Sequence, residues 1–496
     1  MAVLSVTITD DVTGGAVPCR VYVTDASGGA YEPSTPHVAF HVGEERHFLC
    51  SGAFEVALDP GTYVVRVERG PEYGPAVEPV EVGAGSPTCR DIRLTRWIDM
   101  NAQDWYSGDL HVHRDPGDLP MAVQSEALNV GTNIVYHNAS TPTADVPTGV
   151  QSPAPNCAYS TADAEVERLH DGPGAIVLLG MRHPIPTDDL ATLYPTDMEY
   201  IDIARAQGAH VDGEKPFWRG TPVNAAHGGL DSMGVVPNHF HRRKVMRESA
   251  RWGAIPQETQ FLGDEGFAHW ILDLYYRYLN CGVRLPASGG TASGIMPSPL
   301  GYCRTYARLD EEFTYDAWFR ALRAGRSFAT NGPMLFLEAD GNGPGALLRY
   351  AVGDPRVLTG EVRAASAGPL AYVELVRDGV VVQRVDAAEG ATEVVLEFRE
   401  TFERSGWMAA RCFERVQGNV RYAQTSPIYV FMGTDEIASE PAARYFLAIV
   451  EQQITQASTG DHLPDATRRD NVLTCLEGAR DYYRMVIELA QARADV

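Results

Sequence analysis

No stretch of the chain approaches ~18 uninterrupted apolar residues, so no membrane-spanning helix is expected. Basic charge is in short supply. Lys and Arg number 41 against 65 Asp and Glu, a formal net charge of −24. Nucleic acid and anionic membranes both require basic patches, so neither is an expected partner. Paired-cysteine motifs are missing as well. The eight cysteines (Cys19, Cys50, Cys89, Cys157, Cys281, Cys303, Cys412 and Cys475) are scattered without a C-x-x-C pair. That argues against a zinc ribbon and for buried free thiols in a reducing compartment. The N-terminus alternates like a strand and has neither a charged n-region nor an apolar h-region, so a cytoplasmic protein is expected. With 44% hydrophobic and 21% charged residues the composition is that of a globular protein. Its 496 residues suffice for roughly two to four domains.

Taken in order, residues 1–96 read as short strands punctuated by Gly and Pro, which predicts a small β-sandwich. Phe54-Glu55-Val56-Ala57-Leu58 and Thr62-Tyr63-Val64-Val65-Arg66-Val67 flank Asp59-Pro60-Gly61, a strand, turn and strand signature. Residues 97–345 alternate short apolar runs with helical patterns. Strands are predicted at Leu110 and Val112, Thr132 to Tyr136, Ala175 to Leu179, Ala209 to Val211 and Asp231 to Val236. Such strand–helix units imply a mostly parallel sheet or barrel with ligands at the strand carboxyl ends. Residues 346–433 return to β, with Asp378-Gly379 as a hairpin turn, and predict a second sandwich. Residues 434–496 carry two apolar helical stripes and predict a helical hairpin.

The chemistry gathers at Gly108-Asp109-Leu110-His111-Val112-His113. Side chains at i and i+2 of a strand share a face, so His111 and His113 can converge on one ion, with Asp109 as a third candidate. His137, His210 and His239 also fall at predicted strand ends. His210 is preferred over His227, which sits at a helix end where a cation complements the helix dipole. Asp212 shares the face of His210, and Glu214, Lys215 and Trp218 lie in the following loop, where acids, bases and pocket walls belong. Asn238-His239-Phe240-His241-Arg242-Arg243-Lys244 is a locally basic run in an acidic chain, suited to clamping an anionic group. Ser288-Gly289-Gly290-Thr291-Ala292-Ser293-Gly294 is Gly-rich without the ending of a P-loop, yet its N–H groups could hold an oxyanion. Arg304 stands where it could close that loop.

The opening motif resembles that of the PHP (polymerase and histidinol phosphatase) superfamily, and more narrowly the CehA/McbA-type metallohydrolases. The resemblance extends to Leu279-Asn280-Cys281-Gly282-Val283-Arg284-Leu285-Pro286-Ala287-Ser288-Gly289-Gly290-Thr291, Ala321-Leu322-Arg323-Ala324-Gly325-Arg326-Ser327-Phe328-Ala329-Thr330-Asn331-Gly332-Pro333 and Ser426-Pro427-Ile428-Tyr429-Val430. It covers the chain from about Trp105 onward. It implies a distorted (β/α)7 barrel with a metal cluster at the strand tips, used for hydrolysis. The N-terminal segment resembles carboxypeptidase-regulatory-like modules, to which no chemistry is assigned. Three carboxylates of the family pattern are absent at their usual places, where this chain has Tyr136, Met181 and Ala292. The resemblance therefore implies a reduced, histidine-rich site.

The expected function is a metal-dependent hydrolase acting on an ester, amide, carbamate or phosphoester of a small molecule. His111, His113, His210 and His239 would hold one divalent transition metal (Zn²⁺, Fe or Mn), or none. Asp212, Glu214, Lys215 and His137 would carry the proton and charge chemistry. Arg242, Arg304, Asn238 and Trp218 would contact substrate. Two alternatives stand beside it: a PHP-fold pseudoenzyme that binds a small molecule or glycan, and a metal-independent lyase using histidine as acid and base. A homo-oligomer is compatible with each.

Overall fold

Leu4, Val6 and Ile8 are fully buried while Val3 and Thr7 face outward, the period-two pattern of a half-buried strand, and Ala2–Asp10 forms it. The computed structural model describes residues 2–34, 37–138, 149–183, 185–186, 190–247, 259–351, 353, 355–459, 463 and 465–494. In it, Ala2–Asp10 runs between Ala53–Leu58, antiparallel, and Thr88–Leu94, parallel. A second sheet orders Val38–Val42, Glu45–Cys50, Cys19–Asp25, Gly61–Glu68 and Ala76–Val82, with Ala30–Tyr31 on its flank. The two sheets share one core, to which Leu4, Ile8 and Val56 come from the first and Val21, Val65 and Val67 from the second. The Asp59-Pro60-Gly61 turn closes no hairpin. Ala53–Leu58 pairs with Ala2–Asp10, and Gly61–Glu68 pairs with Cys19–Asp25, so the turn carries the chain from one sheet to the other. Both strands have one apolar face, and crossing lets each cover the common core from opposite sides. Cys19 and Cys50 are register partners with free thiols 3.6 Å apart.

In the middle of the chain Trp105–Val112, Val130–His137 and Cys157–Arg168 lie side by side and parallel. Leu119–Ser125 is the crossover helix between the first two, with Leu119, Ala122 and Val123 buried. The sequence pattern predicts no strand at Cys157–Arg168, because three acids and several small residues break its hydrophobic alternation. The structure makes it a twelve-residue strand, buried almost throughout. Beyond it the direction reverses. Gly174–Leu179 is antiparallel to Cys157–Arg168, and His210–Asp212 is antiparallel to Gly174–Leu179. The mostly parallel order expected of strand–helix units therefore holds only for the three central strands, with antiparallel neighbours on both sides. On its other edge, Trp105–Val112 pairs antiparallel with Arg304–Arg308, and the sheet continues through Ser327–Thr330 and Tyr422–Thr425 to Gly406–Glu414, Leu370–Arg377 and Val380–Asp386. Met233–Val236 and Ala287–Gly289 form a separate parallel pair. Isolated bridges, Asp212 to Ser232 and Val112 to Ser293, tie that pair's neighbourhood to the larger sheet.

A three-stranded sheet of Met334–Ala339, Arg356–Ala365 and Glu393–Phe402 buries Leu337, Val362 and Leu396 against Val373, Leu375 and Ala410 of the large sheet. Asp378 and Gly379 adopt φ 51° and 88°, which suits the two-residue turn joining Leu370–Arg377 to Val380–Asp386. Glu440–Thr459 and Ala466–Ala494 pack on one another and on the middle of the chain. Phe446 stacks on Tyr278 at 4.1 Å, and Tyr483 donates to the Pro222 carbonyl. Among the described residues no helix is long and apolar enough to cross a membrane.

Candidate metal centre

Trp105–Val112 delivers His111 near its end, and His113 follows directly. Their Nε2 atoms lie 3.0 Å apart. The third donor comes from Cys157–Arg168. Glu165 Oε2 is 3.4 Å from His111 Nε2 and 3.2 Å from His113 Nε2. His137, at the end of Val130–His137, lies 3.8 Å from the same oxygen and 3.1 Å from Glu167 Oε2. Two overlapping triads result, His111 with His113 and Glu165, and His137 with Glu165 and Glu167. Glu165 belongs to both. A tetrahedral ion with bonds of ~2.0–2.1 Å to nitrogen and oxygen sets neighbouring donors about 3.4 Å apart. The first triad's spacings of 3.0 to 3.4 Å fit that requirement without rearrangement.

The protonation states fit as well. Burial pushes the His111 imidazole down to about 4, against the pull of Glu165, so the ring is neutral. Burial also opposes charge on Glu165, but the facing His111 and His113 outweigh it and hold the carboxyl well below the usual range. Neutral imidazole and ionised carboxylate are the forms that bind a metal. His137 is raised, chiefly by its hydrogen bond with Glu167.

Glu214 closes the other side. Its Oε1 is 3.4 Å from His111 Nδ1, and Trp218 Nε1 donates to its Oε2 at 2.6 Å. Lys215 Nζ pairs with Glu214 Oε1 and lies 4.8 Å from the centroid of the Trp218 ring. Lys215 is one of two lysines in the whole chain. It is buried, and burial lowers it to about 8 while Glu165, Glu167 and Asp212 pull it upward. Trp218 therefore acts on Glu214 and Lys215, as a wall and a hydrogen-bond donor.

Several sequence expectations are corrected. Asp109 is not turned to the ion site. It accepts from the N–H groups of His111, Thr291 and Gly301 and from the Thr291 hydroxyl. Residues 288–294 are the partner in that contact, not an oxyanion cradle. A Cβ on Gly290 would meet the His111 Cβ at 2.6 Å, and one on Gly294 would meet the His113 carbonyl at 1.8 Å. The glycines permit close backbone approach, and the Ser293 carbonyl accepts the His113 N–H at 2.7 Å.

His210 is not brought to His111 and His113. Its Nε2 lies 2.7 Å from the Ser232 hydroxyl and its ring packs against Phe319. Register explains this. Glu165 lies opposite Val177 and Val177 opposite Asp212, whereas His210 lies opposite Leu179, two residues further along. Asp212 is thus level with Glu165, but it is occupied by the Ser232 and Ser288 hydroxyls and the Glu214 N–H, so it fixes the loop that carries Glu214. His239 sits between the rings of Phe217 and Phe267, outside both triads, and is held well below its usual range by burial with Lys215 and His241 nearby. Asn238 is buried beside it.

Arg242 donates to the Tyr22 hydroxyl at 2.8 Å and to Glu68 at 2.6 Å, which anchors it to the N-terminal sheets. Arg304, fully buried, donates to the Gly301 carbonyl, the Ser107 hydroxyl and the Glu126 carbonyl. Both arginines line a cavity that shares no residue with the triads. His227 accepts its expected structural place, with Nε2 2.8 Å from the Cys475 carbonyl.

Glu165 and Glu167 are the site residues that motif reading missed. The acid sought near Met181 is absent there, and Met181 is a core residue. The available signal was Asp163-Ala164-Glu165-Val166-Glu167, acids at period two beside the histidine strands. Set against known proteins, the chain matches no family model and no curated protein.

Proposed function

We propose that the chain is a metal-dependent hydrolase of the PHP type, acting on an ester, amide, carbamate or phosphoester bond of a small molecule. The observation that carries this reading is the donor set of buried His111 and Glu165 with partly buried His113, spaced for an ion and flanked by Glu214 and Lys215. The parallel order of the three strands that bear the donors, and the bridges at Ser232 and Ser293, support a distorted barrel with the site at its strand ends. Imidazole with carboxylate suits Zn²⁺, Fe or Mn. A second ion is accommodated by His137, Glu165 and Glu167. When bound, such a metal supplies Lewis acidity and lowers the pKa of water.

The chain's own groups supply the remainder. Glu214 faces His111 Nδ1 and fixes the ring's orientation and tautomer, as a carboxylate behind a ligating histidine does. Lys215 places a cation where negative charge develops on the substrate. With a single ion bound at His111, His113 and Glu165, His137, hydrogen-bonded to Glu167 and half-exposed, is placed to pass a proton between site and solvent.

Elemental analysis tests the reading directly. Protein purified without chelators, or reconstituted in turn with Zn²⁺, Mn²⁺ and Fe²⁺, should carry one to two ions per chain and hydrolyse members of an ester, carbamate and phosphoester panel. The His111→Ala/His113→Ala variant should lose hydrolysis and the ion held by those two rings. Wild-type protein that carries no ion after each reconstitution would overturn it, and ligand binding without turnover would point to the pseudoenzyme instead.

A further inference from the structure

A cavity of about 640 Å³ lies where the N-terminal sheets meet the middle of the chain and residues 416–421. Its volume is within the ~300–1,000 Å³ typical of small-molecule sites. Arg20, Arg66, Arg242, Arg243, Arg304 and Arg421 line it, against two carboxylates, Glu68 and Glu126. Two further acids lie close behind the wall, Glu45 at 3.6 Å from Arg242 and Glu414 at 3.0 Å from Arg421. Six guanidinium groups thus face four carboxylates, which leaves two positive charges over in a chain whose net charge is −24.

The surplus is localised. Arg304 is buried, and its three hydrogen bonds all go to neutral oxygens. Arg243 is exposed at the rim, and among the described residues no carboxylate lies within ion-pair distance of it. Arg20 is buried with its Nε unpartnered among the described residues, although its two terminal nitrogens pair with Glu68 and Glu126. Burying unmatched cations is costly unless an anion joins them. Guanidinium forks match phosphate and carboxylate oxygens in geometry as well as charge.

We propose that this cavity is a binding site for a small dianion, a phosphate or sulfate ester or a dicarboxylate, held by Arg304 at depth and by Arg66, Arg243 and Arg421 toward the mouth. The site is distinct from the metal centre and stands independently of the hydrolase reading.

Calorimetric titration of the full-length protein with inorganic phosphate, sulfate and malonate at pH 7.5, each at constant ionic strength against chloride, tests this. At least one of the three should bind, and the choice among them separates tetrahedral from dicarboxylate ligands. Arg66→Ala/Arg243→Ala and, separately, Arg421→Gln change side chains that are exposed or partly so. At least one of these variants should bind the anion fivefold or more weakly, whereas His111→Ala/His113→Ala should bind it as wild type does. The proposal is overturned if no dianion binds beyond chloride, if both arginine variants lose less than fivefold, or if the histidine variant abolishes binding.

Discussion

Glu165 faces three imidazoles at once, with its Oε2 between 3.2 and 3.8 Å from those of His111, His113 and His137. Removing it breaks both triads, whereas removing Glu167 breaks one. Glu165→Gln should therefore reduce bound metal to below about a tenth of wild type, because an amide is a far poorer ligand than a carboxylate. Glu167→Gln should retain the ion at His111 and His113. Elemental analysis of the two variants side by side checks this, and equal losses would count against a shared carboxylate. Lys215 tests a different step. Lys215→Met should keep the metal yet lower kcat on the order of 10²-fold or more, as loss of one charge-stabilising donor does. Lys215→Arg should not restore the rate, since a longer, planar guanidinium presents its charge in a different place from the compact ammonium that pairs with Glu214 and lies over the Trp218 ring. Metal loss in Lys215→Met would reassign the residue to folding. At this scale the histidines were readable because His-x-His is a local pattern. Glu165 was not, because its partners lie 28 to 54 positions earlier in the chain and its only local mark is the alternation of acids at Asp163, Glu165 and Glu167.

The loop at 288–294 and the histidine strand form one unit, joined by Asp109 on one side and by bare backbone contact on the other. Gly290→Ala places a methyl group 2.6 Å from the His111 Cβ and 2.7 Å from the His111 N. Neither atom can yield without moving the strand, so the loop must lift. The expected cost is about 1–3 kcal/mol of stability, with weaker metal binding because His111 shifts. Chemical denaturation and metal titration of the same variant check both; an unchanged metal affinity would show that the loop does not position the ligand. Elements set by local chemistry were legible. The Asp378-Gly379 hairpin and both C-terminal helices fall where turn residues and helical stripes place them. Strand order was not. The reversal after Cys157–Arg168, and the crossing at Asp59-Pro60-Gly61, depend on which distant strand offers an unfilled edge, and that information is not carried by the residues of the turn.

Across the whole molecule, buried charge joins the N-terminal sheets to the rest. Arg20 bridges Glu68 and Glu126, and Arg242 reaches back to Tyr22, Glu68 and Glu45. Glu45 is the clearest reporter. Burial alone would raise its carboxyl, but hydrogen bonding with His47, the charges of Arg20 and Arg242 and the Tyr22 hydroxyl together hold it at about 2, against a usual 4.5. Between those values the unfolded chain binds the proton that the folded chain refuses, so stability rises with pH across this window. The contribution is fully present above pH 4.5, is lost as pH falls toward 2, and amounts to on the order of 3 kcal/mol. Glu45→Gln cannot titrate. Its unfolding free energy should fall below wild type by that order at pH 7, and the two curves should converge as pH approaches 2. Urea melts at pH 7, 4.5, 3.5 and 2.5 measure it. Parallel curves would place the acid sensitivity elsewhere, with Glu68, which its arginine neighbours also hold low, as the next group to substitute.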